Sequence, residues 1–353
     1  MQALRTLKPY RALITGGSGF VGSHLAEALL ERGHHVTVID DLSTGCFDNI
    51  QHLVGDPHFR FAIDNVKNEI VLDRLASECD VIFHLAAAVG VQLVVDKPVH
   101  TIETNIMGTE TVLKVALRYR AKVLIASTSE VYGKSSSVSF DEEDDVVLGP
   151  SSRCRWAYAA SKMVDEFLAL AYHRESGLPV VVFRLFNTVG PRQTGRYGMV
   201  IPRLVEQALR GDPLTVYGDG LQTRCFLHVH DAVEAVVRLA ECRPALGKVF
   251  NVGSTEEISI LHLARKILAS AGSPGTANSD GSSADDPAWE GRIRMVPYDE
   301  AYKPGFEDMI RRVPNISKVH RYTGWQPSKS LDEIIVDVTT HLKENTISLP
   351  ATL

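Results

Sequence analysis

Three glycines near the start of the chain constrain its fold more than any other feature. Gly16, Gly19 and Gly22 stand three apart, between the apolar run Ala12-Leu13-Ile14-Thr15 and a helix-compatible segment from Ser23 to Arg32. A short apolar run ending in glycine reads as a buried strand that turns sharply into a helix. Gly16 permits the tight turn, Gly19 lets a pyrophosphate approach the backbone, and Gly22 lets the helix pack on the strand. The helix N-terminus then faces the phosphates. A glycine trio alone says little, but between strand and helix it has the context that dinucleotide binding requires. The next apolar run, His35 to Ile39, ends at Asp40. That is about 20 residues past the glycines, where an acid holds the adenosine ribose. A carboxylate there repels a 2′-phosphate and so favours NAD over NADP. The bland alternative is a turn followed by a surface aspartate.

Strand and helix signals alternate from there. Phe59 to Ile63 reads as a strand. Val81 to Leu85 reads as another, running into Ala86 and Ala87, small residues that let a cofactor lie close. A helix is expected from Thr101 to Tyr119, strands from Lys122 to Ser127 and Pro179 to Phe186, and a helix from about Trp156 to His173. This rhythm specifies an α/β chain with a Rossmann-type doubly wound parallel sheet. Past Phe186 the rhythm changes, and a smaller α/β substrate-binding lobe is expected. At 353 residues the chain has room for both. The expected division gives residues 1–186 to the dinucleotide domain, with a return segment at about 226–253. Residues 187–225 and 254–353 form the second lobe. Ser135 to Ser152, polar and acidic, reads as an exposed loop, and Gly272 to Gly291 as a loop without periodicity.

The chemistry concentrates between Ser127 and Lys162. Ser127-Thr128-Ser129-Glu130 ends a strongly apolar run, so these polar groups sit at the carboxyl tip of a buried strand, where ligands of such sheets bind. Tyr158 and Lys162 are four apart and share a helix face. An ammonium beside a phenol favours phenolate and makes a base. The spacing alone also fits a solvated helix face; a nicotinamide site next to it gives it meaning. The same helix carries apolar residues on two faces, Met163, Phe167, Leu170 and Val164, Leu168, Ala171. One face would meet the sheet and the other a partner helix.

Net charge is −6 with no long basic run, which argues against a nucleic-acid partner. No apolar stretch approaches the ~20 residues of a membrane span, and Met1 to Tyr10 lacks the apolar centre of a signal peptide. The five cysteines are scattered without metal-ligand spacing. Free thiols, a cytoplasmic location and no metal are expected.

Seven segments together are similar to the extended short-chain dehydrogenase/reductases that act on nucleotide sugars. They are Thr15 to Gly22, Asp40-Asp41-Leu42-Ser43-Thr44-Gly45, His84 to Ala87, Ser127 to Gly133, Tyr158-x-x-x-Lys162, Arg184 to Arg192, and Arg312-Val313-Pro314-Asn315-Ile316. The resemblance spans nearly the whole chain. It implies a tightly held NAD that, with the Tyr/Lys pair, oxidises the sugar 4-hydroxyl. It implies cofactor contacts from Gly16, Gly19, Phe20, Val21, Gly22, Asp40, Asp41, Ser43, Thr44, Gly45, Leu85, Ala86, Ala87, Asn105, Ser127, Tyr158 and Lys162. Asn65-Val66 stands where the family has Asp and an aliphatic residue near the adenine. The resemblance further implies substrate contacts from Val89, Asn187, Val200, Tyr217, Arg224 and Arg312, and a homodimer through the helices Thr101–Tyr119 and Trp156–His173. His228 and His230 flank the family's aspartate, Asp231, and read as supporting or surface histidines.

The strand tip separates the reactions. Dehydratases of the family resemble Thr-Asp-Glu there, and Ser129 cannot supply that acid. Typical 4-epimerases carry small residues where Glu130 stands. Thr128-Ser129-Glu130 and the Arg-x-Pro-Asn-Ile segment resemble UDP-glucuronate decarboxylases, which give UDP-4-keto-xylose or UDP-xylose. Ala86 to Val91 and Trp156 to Lys162 look more like epimerases. A UDP-sugar 4-epimerase, a 4,6-dehydratase and a non-enzymatic nucleotide sensor therefore remain as alternatives. In the decarboxylase reading the catalytic set is Thr128, Ser129, Glu130, Tyr158, Lys162 and Arg312.

Overall fold

The computed structural model describes residues 8–195, 199–270, 291–301, 309 and 311–347. Most of the expected Gly272–Gly291 loop, and residues 1–7, lie outside the described residues.

The strands are β1 Arg11–Thr15, β2 His35–Asp40, β3 Phe59–Ile63, β4 Val81–His84, β5 Lys122–Thr128 and β6 Val180–Leu185. Then follow the short pieces β7 Thr188–Val189, β8 Leu214–Tyr217, β9 Thr223–Cys225 and β10 Leu227–His228, and after them β11 Lys248–Val252, β12 Glu257–Ser259 and β13 Ile293–Val296. The helices are α1 Phe20–Glu31, α2 Asp48–Gln51, α3 Glu69–Ala76, α4 Val91–Asp96, α5 Pro98–Tyr119 and α6 Ala157–Ser176. They continue with α7 Val200–Arg210, α8 Val229–Glu241, α9 Ile260–Ser270, α10 Tyr298–Ala301, α11 Ser317–Thr323 and α12 Leu331–Ile347.

Seven strands form one parallel sheet in the order β11-β6-β5-β4-β1-β2-β3. Ile14 of β1 pairs with Val38 on one side and Phe83 on the other. The strand order reverses between β1 and β4, which opens a crevice at their carboxyl ends. Both faces of the sheet are covered, which is why its strands read as continuous apolar runs. Leu25 and Leu29 of α1 pack with Val233 and Val236 of α8 on one face. Leu72 of α3, Val112 and Leu113 of α5 and Ala169 of α6 cover the other. A separate core joins Ile201 and Leu204 of α7, Leu263 and Ile267 of α9, and Ile334 and Ile335 of α12.

The structure differs from the sequence reading at four places. The inward face of α6 is polar, with Ser161, Lys162, Asp165 and Glu166 buried, while Val164 and Phe167 are 40% and 66% exposed. The buried charges are tolerated because they pair with one another and with Arg184. The acidic segment from Ser135 to Ser152 is not simply exposed. Phe140 and Glu142 are buried, and Glu142 accepts a hydrogen bond from the Asn251 backbone at 2.7 Å. The apolar spacing from Ile258 to Ala271 reads as one helix, but Ile258 belongs to β12, because its segment pairs antiparallel with β9. Val319 and Trp325, in the region assigned to the second lobe, pack into the first core, and Trp325 Nε1 donates to the Asp231 carbonyl at 3.0 Å.

Candidate active site

The glycine turn lies at the mouth of the crevice. Gly16 has φ +72°, and a Cβ on it would stand 2.7 Å from the Ala86 nitrogen. A Cβ on Gly22 would stand 2.2 Å from the Gly16 carbonyl oxygen, so Gly22 packs against the turn itself and not on the strand. Gly19 differs, since its only neighbour within reach is the Gly16 oxygen at 3.2 Å. The space above Gly19 is open, and Gly19 caps α1 with no side-chain hydrogen bond. The first-turn N–H groups of α1 are therefore aimed at whatever fills the cleft.

Asp40 ends β2 and is buried. Its carboxylate accepts hydrogen bonds from the backbone N–H groups of Ser18 and Leu42, both at 2.9 Å. Burial pushes its pKa up, and those two N–H groups oppose the shift. Asn65, the departure from the family pattern, donates to Asp41 at 2.7 Å and so braces the rim. The cleft holds about 940 Å³, within the roughly 300–1,000 Å³ of ligand pockets. Gly16, Gly19, Phe20, Val21, Gly22, Asp40, Asp41, Ser43, Thr44, Gly45, Asn65, Val66, Leu85, Ala86, Ala87 and Val89 all line it. The residues fit a dinucleotide: backbone without Cβ atoms where phosphates would lie, and an acid where a ribose would lie.

A second cavity adjoins the first, sharing Val89, Gln193 and Met199 in its lining. Glu130, Tyr158, Asn187, Val200, Tyr217, Arg224 and Arg312 line it. Asn187, at φ +33°, anchors its turn by donating to the Cys225 carbonyl at 2.9 Å. Arg224 donates to the Thr223 carbonyl at 2.8 Å, and the Arg203 guanidinium lies 4.2 Å above the Tyr217 ring.

Tyr158 and the tip of β5 meet at this wall. The Thr128 hydroxyl hydrogen-bonds the Tyr158 phenol and accepts from the Glu130 backbone N–H at 3.2 Å. Burial pushes the phenol pKa up, and the Glu130 charge pushes it further. The Lys162 ammonium is buried and held 2.6 Å from the Asp165 carboxylate.

Glu130 is held between two arginines. One carboxylate oxygen pairs with Arg155 and the other lies 3.3 Å from Arg312. Burial would raise its pKa, but the two guanidiniums outweigh it and bring it down to about 2. Glu130 is therefore ionised here, and a proton-donating role needs a change at those arginines. Arg312 is aimed by the acidic segment. Phe140 donates its N–H to the Val313 carbonyl and accepts from the Asn315 N–H, each at 2.8 Å. Asn315 also donates to Asp141 at 3.0 Å.

Five expected site residues line neither cavity, Thr128 at the tip of β5 among them. Ser127 donates to Glu166, itself held by Arg184 at 2.9 and 2.7 Å. Ser129 is buried beneath the turn. Asn105 accepts from the Ala88 N–H at 2.8 Å and donates to Ser161 at 2.9 Å, tying the cleft wall to the Tyr158 helix. Lys162, paired with Asp165, is the fifth. These residues hold the walls in place. His84 is a strut as well: it bridges Thr15 at 2.8 Å and Thr109 at 3.0 Å. His228 caps α8 by accepting from the His230 N–H at 3.1 Å. Sequence reasoning missed Arg155. Its signal was its place three residues before Tyr158, one helical turn back.

A profile described as GDP-mannose 4,6 dehydratase matches residues 13–338. A UDP-N-acetyl-alpha-D-glucosaminuronate decarboxylase from Bacillus cytotoxicus is 40% identical over 95% of this chain and 98% of its own length. UDP-glucuronic acid decarboxylase 1 from Xenopus tropicalis is 37% identical over 92% of this chain and 70% of its own. Among solved structures, the UDP-glucuronic acid 4-epimerase of Bacillus cereus, in complex with UDP-glucuronic acid and NAD, superposes with a TM-score of 0.81 and 29% identity, covering 95% of this chain and 99% of that one. The chain belongs to the family of that profile, the extended short-chain dehydrogenase/reductases that act on nucleotide sugars.

Proposed function

We propose that the protein is an NAD-dependent UDP-glucuronate decarboxylase that releases CO₂ and gives UDP-4-keto-xylose, UDP-xylose or both. The observation that carries this reading is Glu130, held by arginines on the cavity wall that also presents Tyr158. Inverting a hydroxyl through a ketone needs no second acid or base, whereas loss of the carboxyl group leaves a carbanion that a further group must help protonate. The decarboxylase relatives, at 37–40% identity over nearly all of the chain, support the same choice over the epimerase neighbour.

Bound NAD supplies a hydride acceptor and a positively charged ring beside the sugar. The remaining work falls to this chain. Gly19 lets the diphosphate approach the backbone, Gly16 and Gly22 let the turn close beneath it, and Asp40 takes the ribose. Tyr158 removes the proton of the sugar 4-hydroxyl while Thr128 hydrogen-bonds the same oxygen. Lys162 stands behind Tyr158, oriented by Asp165. Oxidation at C4 makes a β-keto acid. Its C5–C6 bond breaks with the electron pair passing to the ketone, and CO₂ leaves. Arg312 holds the carboxylate without locking it in place, and Glu130 orders the water that protonates C5. Asn187, Val200, Tyr217 and Arg224 hold the nucleotide in the second lobe.

In this reading two chains pair through α5 and α6, whose exposed Val99, Ile102, Val164 and Phe167 provide an apolar surface. Five free cysteines fit a reducing cytoplasm. Among the described residues no helix is long and apolar enough to cross a membrane. The test is proton NMR of the product from UDP-glucuronate and from its 2-N-acetyl counterpart, with nicotinamide absorbance followed in parallel. A UDP-pentose supports the proposal, and UDP-galacturonate as the sole product replaces it with a 4-epimerase. Light scattering on the same sample tests the dimer.

A further inference from the structure

Arg155 has no place in the mechanism so far, yet it is among the most buried groups of the cavity wall. Its side chain is 4% exposed and that of its partner Glu130 14%. It stands on the 3-10 turn Cys154–Trp156 that leads into α6, so the element that places Tyr158 also places Arg155. Arg312 reaches the same glutamate from the far side, aimed by the Phe140–Asn315 backbone bonds. One carboxylate thus spans two guanidiniums, an oxygen to each, in the lining of the cavity that holds Tyr158. Planar guanidinium forks suit carboxylates. The sugar's C6 is two bonds from C4, so a uronate whose 4-hydroxyl meets Tyr158 brings its own carboxylate to this wall.

We propose that Arg155 is a specificity-determining residue and that Glu130 is a built-in stand-in for the ligand: the carboxylate of a nucleotide uronate displaces Glu130 from Arg155 and Arg312 and turns it toward the reacting sugar. A neutral hexose offers a hydroxyl, which cannot compete with an ionised glutamate for two cations. Selection for the 6-carboxylate and release of Glu130 are then one event. No covalent bond changes in this step; two ion pairs exchange an anion. The inference rests on the uronate part of the proposed function and not on decarboxylation itself.

The test measures dissociation constants for UDP-glucuronate and UDP-glucose on the NAD-loaded protein and its variants by calorimetry. The wild type is expected to prefer UDP-glucuronate. Arg155→Gln should weaken UDP-glucuronate by about 10- to 100-fold and leave UDP-glucose nearly unchanged, and Arg155→Lys should recover part of the loss. Glu130→Gln removes the internal competitor, so it should tighten UDP-glucuronate several-fold without tightening UDP-glucose, even as turnover falls. No preference in the wild type, an unchanged preference in Arg155→Gln, or weaker uronate binding in Glu130→Gln overturns the inference. If Arg155→Gln does not fold, the Glu130→Gln result decides. A wild type that prefers the uronate but releases no CO₂ removes the decarboxylase and leaves the exchange standing.

Discussion

Gly22→Ala separates helix propensity from site geometry. Gly22 lies in the first turn of α1 with no left-handed backbone angle, so alanine is conformationally welcome there. Propensity alone would gain about 1 kcal/mol. The new methyl, however, would sit 2.2 Å from the Gly16 oxygen and 2.7 Å from the Gly17 Cα. Both are backbone atoms of the turn that faces the cofactor, and neither can rotate away. Restoring ordinary contact moves the turn by about 1 Å, and overpacking of this kind costs about 1–3 kcal/mol. Sterics therefore outweigh propensity, and the displaced turn no longer matches a diphosphate. We expect a net loss of about 0–2 kcal/mol in stability and at least a tenfold loss in NAD affinity, about 1.4 kcal/mol. Calorimetric NAD titration and thermal melting measure both. Gly55→Ala is the control, since a Cβ there meets nothing within 4 Å and its backbone angle is ordinary. A Gly22→Ala protein that binds NAD as well as wild type and melts higher would refute the reasoning.

Three further outcomes follow from the same structure. Tyr158→Phe should lower the first oxidation by roughly 10²–10⁴-fold while UDP-glucuronate still binds, as seen in single-turnover nicotinamide absorbance. Asp40→Ser should weaken NAD and bring NADP affinity to within about tenfold of it, because the carboxylate that excludes a 2′-phosphate is gone; a variant still selective against NADP contradicts this. His84 should make the fold acid-sensitive, since burial, helped by the Lys162 charge, brings its pKa down to about 3. Above about pH 6.5 neither state is charged. As the pH falls from there towards 3, the unfolded chain takes a proton that the folded chain refuses, and stability drops by up to about 1.4 kcal/mol per pH unit. Urea unfolding between pH 7 and 5 should show a shallower slope in His84→Gln.

The dinucleotide cleft was legible because its chemistry is local. The glycines, Asp40 and the small residues after β4 each carry their signal within a few positions of strand and turn, and all line the cleft. The Tyr158 corner was legible only in part. Helical spacing put Tyr158 and Lys162 on one face, but it could not show that Asp165, on the same buried face, takes up the ammonium. Nor could it show that the acidic segment from Asp141 onward is tied to Asn315 and so aims Arg312, since those partners are far apart in the chain. The outward apolar residues of α6 and its inward polar ones reversed the usual pattern for the same reason. A buried Lys, Asp and Glu are tolerated by partners on other elements, and amphipathic periodicity does not record partners.

The central claim is that this cavity removes the carboxyl carbon of a nucleotide uronate. Its most direct measurement uses UDP-glucuronate carrying carbon-13 at C6, incubated with the NAD-loaded protein and followed by carbon NMR in a sealed tube. The account predicts that the C6 label leaves the sugar and is recovered as CO₂ and bicarbonate, in equal amount to the UDP-pentose products formed. Retention of the label in a UDP-hexuronate, with the 4-hydroxyl inverted and no labelled bicarbonate, would contradict it.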